Sequence, residues 1–207
     1  MKKTFILCLL ALLCCTMQAQ TARQVLDAAA AKLQKGGVSA NFKATTYKGL
    51  KASGTAAGTI QIQGSKFKIA SNGMTTWYDG KSQWTMISGS GEVNLSQPTA
   101  AEASRMNPYS FINLYKNGYN SSMKTTTYEG RTCKEITLVA TGKGVAYPRI
   151  LVIVDSNNTP VNVRVKDSKG NWMRFAVSNV QTGKRFSDAT FRFDKKQYPK
   201  IEIIDLR

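Results

Sequence analysis

Residues 74–87 read MTTWYDGKSQWTMI, and how this stretch folds decides the architecture. Asp79-Gly80 lies between two β-prone runs. Glycine accepts the positive φ that a tight turn requires, so the stretch predicts a hairpin. Trp77, Tyr78 and Trp84 flank the turn. They belong either to a core or cavity wall or to a ligand grip. Register settles which face each takes, because successive strand residues point to opposite sides.

The same period of two extends outward in both directions. Val38, Ala40, Phe42 and Ala44 alternate with Ser39, Asn41, Lys43 and Thr45. Ile60 and Ile62 alternate with Thr59, Gln61 and Gln63, and residues 66–69 repeat the pattern. Such alternation means one buried face and one wet face, as in an antiparallel sheet. Residues 92–96, 119–128, 131–140, 148–155, 160–167 and 171–180 add further strands, the last three separated by Asp-, Asn-, Ser- and Gly-rich turns.

Two helical segments interrupt this pattern. Residues 21–35 start with a capping box, Thr21 with Gln24, carry Ala22, Val25, Leu26, Ala29 and Leu33 at helical spacing, and stop at Gly36-Gly37. Residues 98–118 hold a second capping box, Thr99 with Glu102, and then Asn107-Pro108 opening an apolar stripe of Phe111, Ile112, Leu114 and Tyr115. With no helix between successive strands of the second half, no parallel α/β topology is implied. The expected fold is mainly β (α+β): a strongly curved antiparallel sheet of about eleven strands whose concave face is covered by helices.

The N-terminus reads as an export signal. Lys2 and Lys3 precede an apolar stretch over residues 4–15, too short to span a bilayer, followed by a cleavage site near Ala19. Leu12-Leu13-Cys14-Cys15 leaves lipid attachment at a cysteine as the rival reading. Cleavage of 19 residues from 207 leaves one domain of 188, residues 20–207. Cys133 is then the sole remaining cysteine, so no internal disulfide forms. Loss of Lys2 and Lys3 lowers the formal charge from +17 to +15. In an exported chain that charge points to anionic headgroups or acidic partners, not to nucleic acid, or simply to a solvated exterior.

The chain has no histidine, which removes the commonest general base and metal ligand. No nucleophile elbow or phosphate loop occurs, and the carboxylates show no pairing by spacing. The expectation is a binding protein without catalytic residues, metal or cofactor.

Four passages in order resemble the bacterial periplasmic lipoprotein carrier family, LolA, and its relatives. They are the first helix with Ser39-Ala40-Asn41-Phe42, the passage over residues 58–69, Tyr78-Asp79-Gly80-Lys81-Ser82-Gln83-Trp84, and Asp188-Ala189-Thr190-Phe191-Arg192-Phe193 followed by a strand over residues 201–205. Asn107-Pro108 sits where that family has its middle helix. The resemblance implies an unclosed β-barrel with a helical lid over a hydrophobic cavity. It implies a monomeric periplasmic carrier of acylated lipoproteins or other lipid, loaded by an inner-membrane ATP-driven extractor and unloaded by an outer-membrane receptor. Candidates for the cavity and lid are Val25, Leu26, Leu33, Phe42, Ile60, Ile62, Phe67, Ile69, Trp77, Trp84, Met86, Phe111, Ile112, Leu114 and Tyr115. Where the family carries a latch arginine and a proline, this chain has Gly64-Ser65-Lys66. Lys66 is the candidate latch, though it lacks the planar fork of arginine. A same-fold periplasmic regulatory binder and an anionic-lipid-binding protein are the alternatives.

Overall fold

The computed structural model describes residues 20–107, 109 and 114–207. Helix α1 (Ala22–Gln34) leads into β1 (Gly37–Lys48), β2 (Lys51–Gln63), β3 (Lys66–Ser71), β4 (Met74–Tyr78), β5 (Gln83–Ile87) and β6 (Glu92–Ser96). Helix α2 (Ala100–Met106) follows, then β7 (Tyr119–Tyr128), β8 (Arg131–Ala140), β9 (Arg149–Val154), β10 (Pro160–Lys166) and β11 (Trp172–Lys184). A 3₁₀ turn (Asp188–Phe191) and β12 (Glu202–Asp205) complete the chain.

Both capping boxes form. Thr21 Oγ1 accepts from the Gln24 N–H at 3.2 Å while Gln24 Oε1 accepts from the Thr21 N–H at 2.8 Å. Thr99 and Glu102 make the same reciprocal pair at 3.3 and 2.9 Å. Asn107 Oδ1 accepts from the Tyr109 N–H. The helix expected after it lies partly outside the described residues, as do Phe111 and Ile112.

The twelve strands make one sheet in the order β12-β6-β5-β4-β3-β2-β1-β11-β10-β9-β8-β7. The two halves of the chain join where β1 pairs with β11, and the sheet is not closed into a barrel. The expectation of about eleven antiparallel strands is corrected in one respect: β12 runs parallel to β6, with Glu202 opposite Glu92 and Asp205 opposite Leu95. The chain returns from β11 through the 3₁₀ turn to reach that edge from the far side, and no hairpin links the two strands.

Two strands are longer than alternation suggested. Residues 51–57 extend β2 although they carry no large apolar side chain, because β1 pairs with them residue by residue. A bulge at Asn179, whose φ is 52°, keeps Val180 on the face of Val177 as β11 continues to Lys184. At Gly58 a Cβ would lie 1.8 Å from the Ala70 carbonyl oxygen, so β2 and β3 approach there as closely as only glycine allows.

Candidate functional site

Register assigns every central side chain to a face. Val38, Ala40, Phe42 and Ala44 of β1 stand opposite Ile62, Ile60, Gly58 and Ala56 of β2 and, across β11, opposite Val177 and Phe175. Phe67 and Ile69 of β3 continue this row, as do Val163 and Val165 of β10. This is the face the helices cover. The residues between them point the other way: Lys43, Lys68, Arg164, Lys166 and Arg174 are all on the opposite side. Along the central strands, the inner face from Val38 to Thr46, Gly54 to Ile62 and Met173 to Val177 carries no charged side chain.

That inner face is covered unevenly. Under α1 it is solid. Val25, Leu26 and Ala29 have no exposure, and they meet Ile136, Leu138, Ile150, Val152 and Val154, with Tyr115 closing the edge. Under α2, Ala103 and Tyr109 lie over Val38, Ala40, Ile60, Ile62, Phe67 and Tyr78. Leu33 touches both groups. Between them runs a row of only half-buried apolar side chains: Phe42, Ile69, Met106, Phe175 and Val177. Hydrophobic surface left half-covered inside a sheet is surface available to another apolar group.

Segment 114–116 is fastened to α1. The Tyr115 hydroxyl donates to Asp27 Oδ1 in a short hydrogen bond, and Arg23 Nη2 donates to the Lys116 carbonyl at 3.2 Å. Burial, and then the Asp27 carboxylate, push the Tyr115 pKa up to about 12, so it stays a donor at physiological pH. Leu114, on the same segment, is exposed. The Tyr109 hydroxyl is buried among apolar side chains without a partner among the described residues, and that burial raises its pKa.

Three of the expected interior residues are elsewhere. Trp77 pairs with Trp84, and Met86 with Val93, on the face away from the helices. There Trp77, Met86 and Val93 form a cluster with Phe193, flanked by Trp84, Tyr198 and Ile201. The Trp77 ring meets Phe193 edge-on at 5.7 Å and Tyr198 at 6.1 Å. The structure therefore separates these three residues from Phe42 and Ile60 by the thickness of the sheet. The hairpin turn serves the same outer cluster. Asp79 Oδ1 accepts from the Lys81 and Ser82 N–H groups, and Asp79 Oδ2 accepts from Arg192 Nε at 2.9 Å. Burial alone would raise the Asp79 pKa, but these hydrogen bonds and the Arg192 charge outweigh it and hold the carboxyl below its ordinary value.

Lys66 is also reassigned. It precedes inward-facing Phe67 and so points outward, where its ammonium binds Asp188 of the 3₁₀ turn at 2.6 Å. It ties down the C-terminal segment and does not reach the helices. Phe186, Phe191, Phe193, Tyr198 and Arg192 make up the rest of this outer clasp. The sequence showed Phe191-Arg192-Phe193 but not the distant partners of this clasp: Trp77 against Phe193, Asp79 on Arg192 and Lys66 on Asp188, all more than a hundred positions away.

Among the described residues no group of side chains is arranged to hold a metal ion, and no helix is long and apolar enough to cross a membrane. An open sheet whose inner face is uncharged along its central strands, beneath short helical segments, is a lipoprotein- or lipid-binding fold. The family of the outer membrane lipoprotein carrier protein LolA matches residues 12–169, and the chain belongs to it. Among solved structures the chain is similar to an uncharacterized conserved protein from Thermus thermophilus, at 10% identity and a TM-score of 0.57, over 89% of this chain and 98% of that one. It is similar to the lipoprotein LppX of Mycobacterium tuberculosis at 12% identity and a TM-score of 0.50, over 81% of this chain and 99% of that one. At these identities the likeness concerns the fold. No curated protein sequence matches the chain.

Proposed function

We propose that this protein is a periplasmic carrier that shields the acyl chains of lipoproteins and moves them from the inner to the outer membrane, with no covalent chemistry of its own. Export through the signal over residues 1–19 puts it in that compartment; those residues lie outside the described ones. An inner-membrane ATP-driven extractor loads it and an outer-membrane receptor unloads it, and it works as a monomer. The observation that carries the reading is the half-covered row of Phe42, Ile69, Phe175 and Val177 on an inner face uncharged along the central strands.

The energetics suit a carrier. Burying one methylene is worth about 0.8 kcal/mol, so roughly ten give about 8 kcal/mol, near micromolar affinity. Complete burial of several chains would hold cargo too tightly to release. A face that is solid under α1 and open beside it limits how much hydrocarbon is taken up.

Purified protein titrated with a fluorescent fatty-acyl probe is expected to show a saturable site, from which a diacylated lipopeptide displaces the probe and the unacylated peptide does not. Absence of saturation, or equal displacement by the unacylated peptide, rejects the reading.

A further inference from the structure

The outer face of the central strands carries a feature independent of the acyl-binding reading. A cavity of about 320 Å³ opens there, lined by Tyr47, Leu50, Leu151, Arg164, Trp172 and Arg174. Arg164 and Arg174 stand directly opposite each other on β10 and β11. Like charges in that position repel. The nearest carboxylate, Glu135 on β8, is already shared: its Oε2 accepts from Arg164 Nη2 at 3.0 Å, and its Oε1 pairs with Lys124 of β7 at 3.1 Å. Arg174 has no carboxylate partner among the described residues, only the face of Tyr47, 6.0 Å away. Lys166 of β10 adds another positive charge over the Trp172 ring.

Two orphaned polar atoms lie in this lining, and two more lie at neighbouring positions of the same face. The Nε groups of Arg164 and Arg174 are both buried without an acceptor. The Thr45 hydroxyl, in register with Arg174, is also without a partner, in a residue only 4% exposed. Asn162 Oδ1, two residues before Arg164 on the same face, is a fourth. Buried donors normally have acceptors, and a cluster of exceptions calls for one that the chain does not supply.

We propose that this cavity binds a phosphate group carried on a short apolar stem. A tetrahedral oxyanion offers enough acceptors to bridge two guanidinium forks at different angles, whereas a carboxylate offers two oxygens in one plane. The anion offsets the Arg164–Arg174 repulsion. Leu151, Trp172, Tyr47 and the fully exposed Leu50 at the β1–β2 turn receive the stem.

The test follows the arginine Nε–H signals by NMR while the full protein is titrated with inorganic phosphate or, separately, with monomeric dihexanoyl phosphatidic acid, at constant ionic strength. Saturable shifts are expected, with affinity falling about tenfold to a hundredfold in Arg174→Gln and less in Arg174→Lys. Tighter binding of the lipid than of inorganic phosphate is expected and supports the site with its stem; equal binding of the two shows that the apolar residues receive no stem and overturns that part of the proposal. Uptake of the fatty-acyl probe by Arg174→Gln should match the parent protein, which shows that the variant folds and keeps this site separate from the inner face. No saturable shift with either ligand, or undiminished binding by Arg174→Gln, overturns the proposal.

Discussion

Phe42 and Lys43 are neighbours on β1 and see different surroundings. Phe42 stands over Gly58 and beside Val177 on a face that is uncharged along the central strands, half-covered by helices. Lys43 lies with Lys68, Arg164 and Arg174 on a face where basic charge is spread among polar groups. The same backbone thus separates an apolar, uncharged surface from a basic, solvated one. The high net charge of the chain, read as a clue to partners, is sorted by strand parity before it becomes a property of any site. An unpaired charge in the half-covered row would be desolvated whenever that row is covered.

Breaking the solid part of the inner face should have the largest effect. Leu26 has no exposure and packs into the α1 cluster. Leu26→Ala is expected to lose about 3 kcal/mol of stability through transfer and cavity terms together, read from the urea midpoint at an unchanged slope. Leu50→Ala, on the fully exposed turn, should leave the midpoint where it is. A loss below about 1 kcal/mol in Leu26→Ala would mean that α1 is not the core its burial indicates.

The comparison of the two faces is sharpened by placing one charge on either side of β1. Phe42→Asp puts a carboxylate in the half-covered row and should weaken fatty-acyl probe binding by ~100-fold or more. Lys43→Asp, one residue on, reverses a charge on the outer face and should leave probe affinity within about twofold. Equal effects of the two substitutions would show that the probe does not use the inner face.

Much of this division is legible in the residues alone. Alternation gave the inner identity of Phe42, Ile60, Ile62, Phe67 and Ile69, since each lies between polar neighbours in strands with one wet face. It failed at β4, where Thr76, Trp77 and Tyr78 are buried in succession. Both faces are covered there: Tyr78 lies against Phe67, and Trp77 lies under Phe193 and Tyr198. A strand covered on both sides loses the period that tells its faces apart. The parallel β12 was hidden for a related reason. Its direction is set by the path of the C-terminal clasp and not by any residue within it. Lys66 shows the limit of carrying a role across a family by position alone, because its parity turns it toward Asp188.

Acid should loosen the outer clasp and spare the inner core. The Asp79 carboxyl is held below its ordinary pKa by its N–H donors and Arg192 against the effect of burial, and Asp188 is held low first by its hydrogen bond from Lys66. A folded-state value below the unfolded one stabilises above the ordinary aspartate pKa of about 3.9, and that contribution disappears as pH falls through the lowered value. Hydrogen exchange of residues 188–198, corrected for intrinsic rate, is expected to hold steady down to about pH 4 and to accelerate below it (about one decade at most, given the exposure of these pairs). Amides of α1 should keep their protection. Asp79→Asn should remove much of the pH dependence, and a clasp whose exchange ignores pH would mean that the aromatic cluster alone holds it.

The smallest expected effect lies at the junction between the solid and the open parts of the inner face. Tyr115 is buried against α1 and its hydroxyl binds Asp27, so it fastens the segment that closes the α1 cluster. Tyr115→Phe keeps the ring and removes the hydrogen bond, at a cost of about 1 kcal/mol. Because burial and Asp27 raise the tyrosine pKa, this contribution is complete below the ordinary tyrosine value and fades only as pH rises toward about 12. The parent protein should therefore lose the difference from Tyr115→Phe in strongly alkaline solution and keep it at neutral pH. If segment 114–116 moves aside when hydrocarbon enters, the variant should also admit the fatty-acyl probe faster with nearly unchanged equilibrium affinity, as stopped-flow fluorescence would show. An unchanged entry rate together with the expected stability loss would make this contact a fastening of the core and place the moving piece nearer α2.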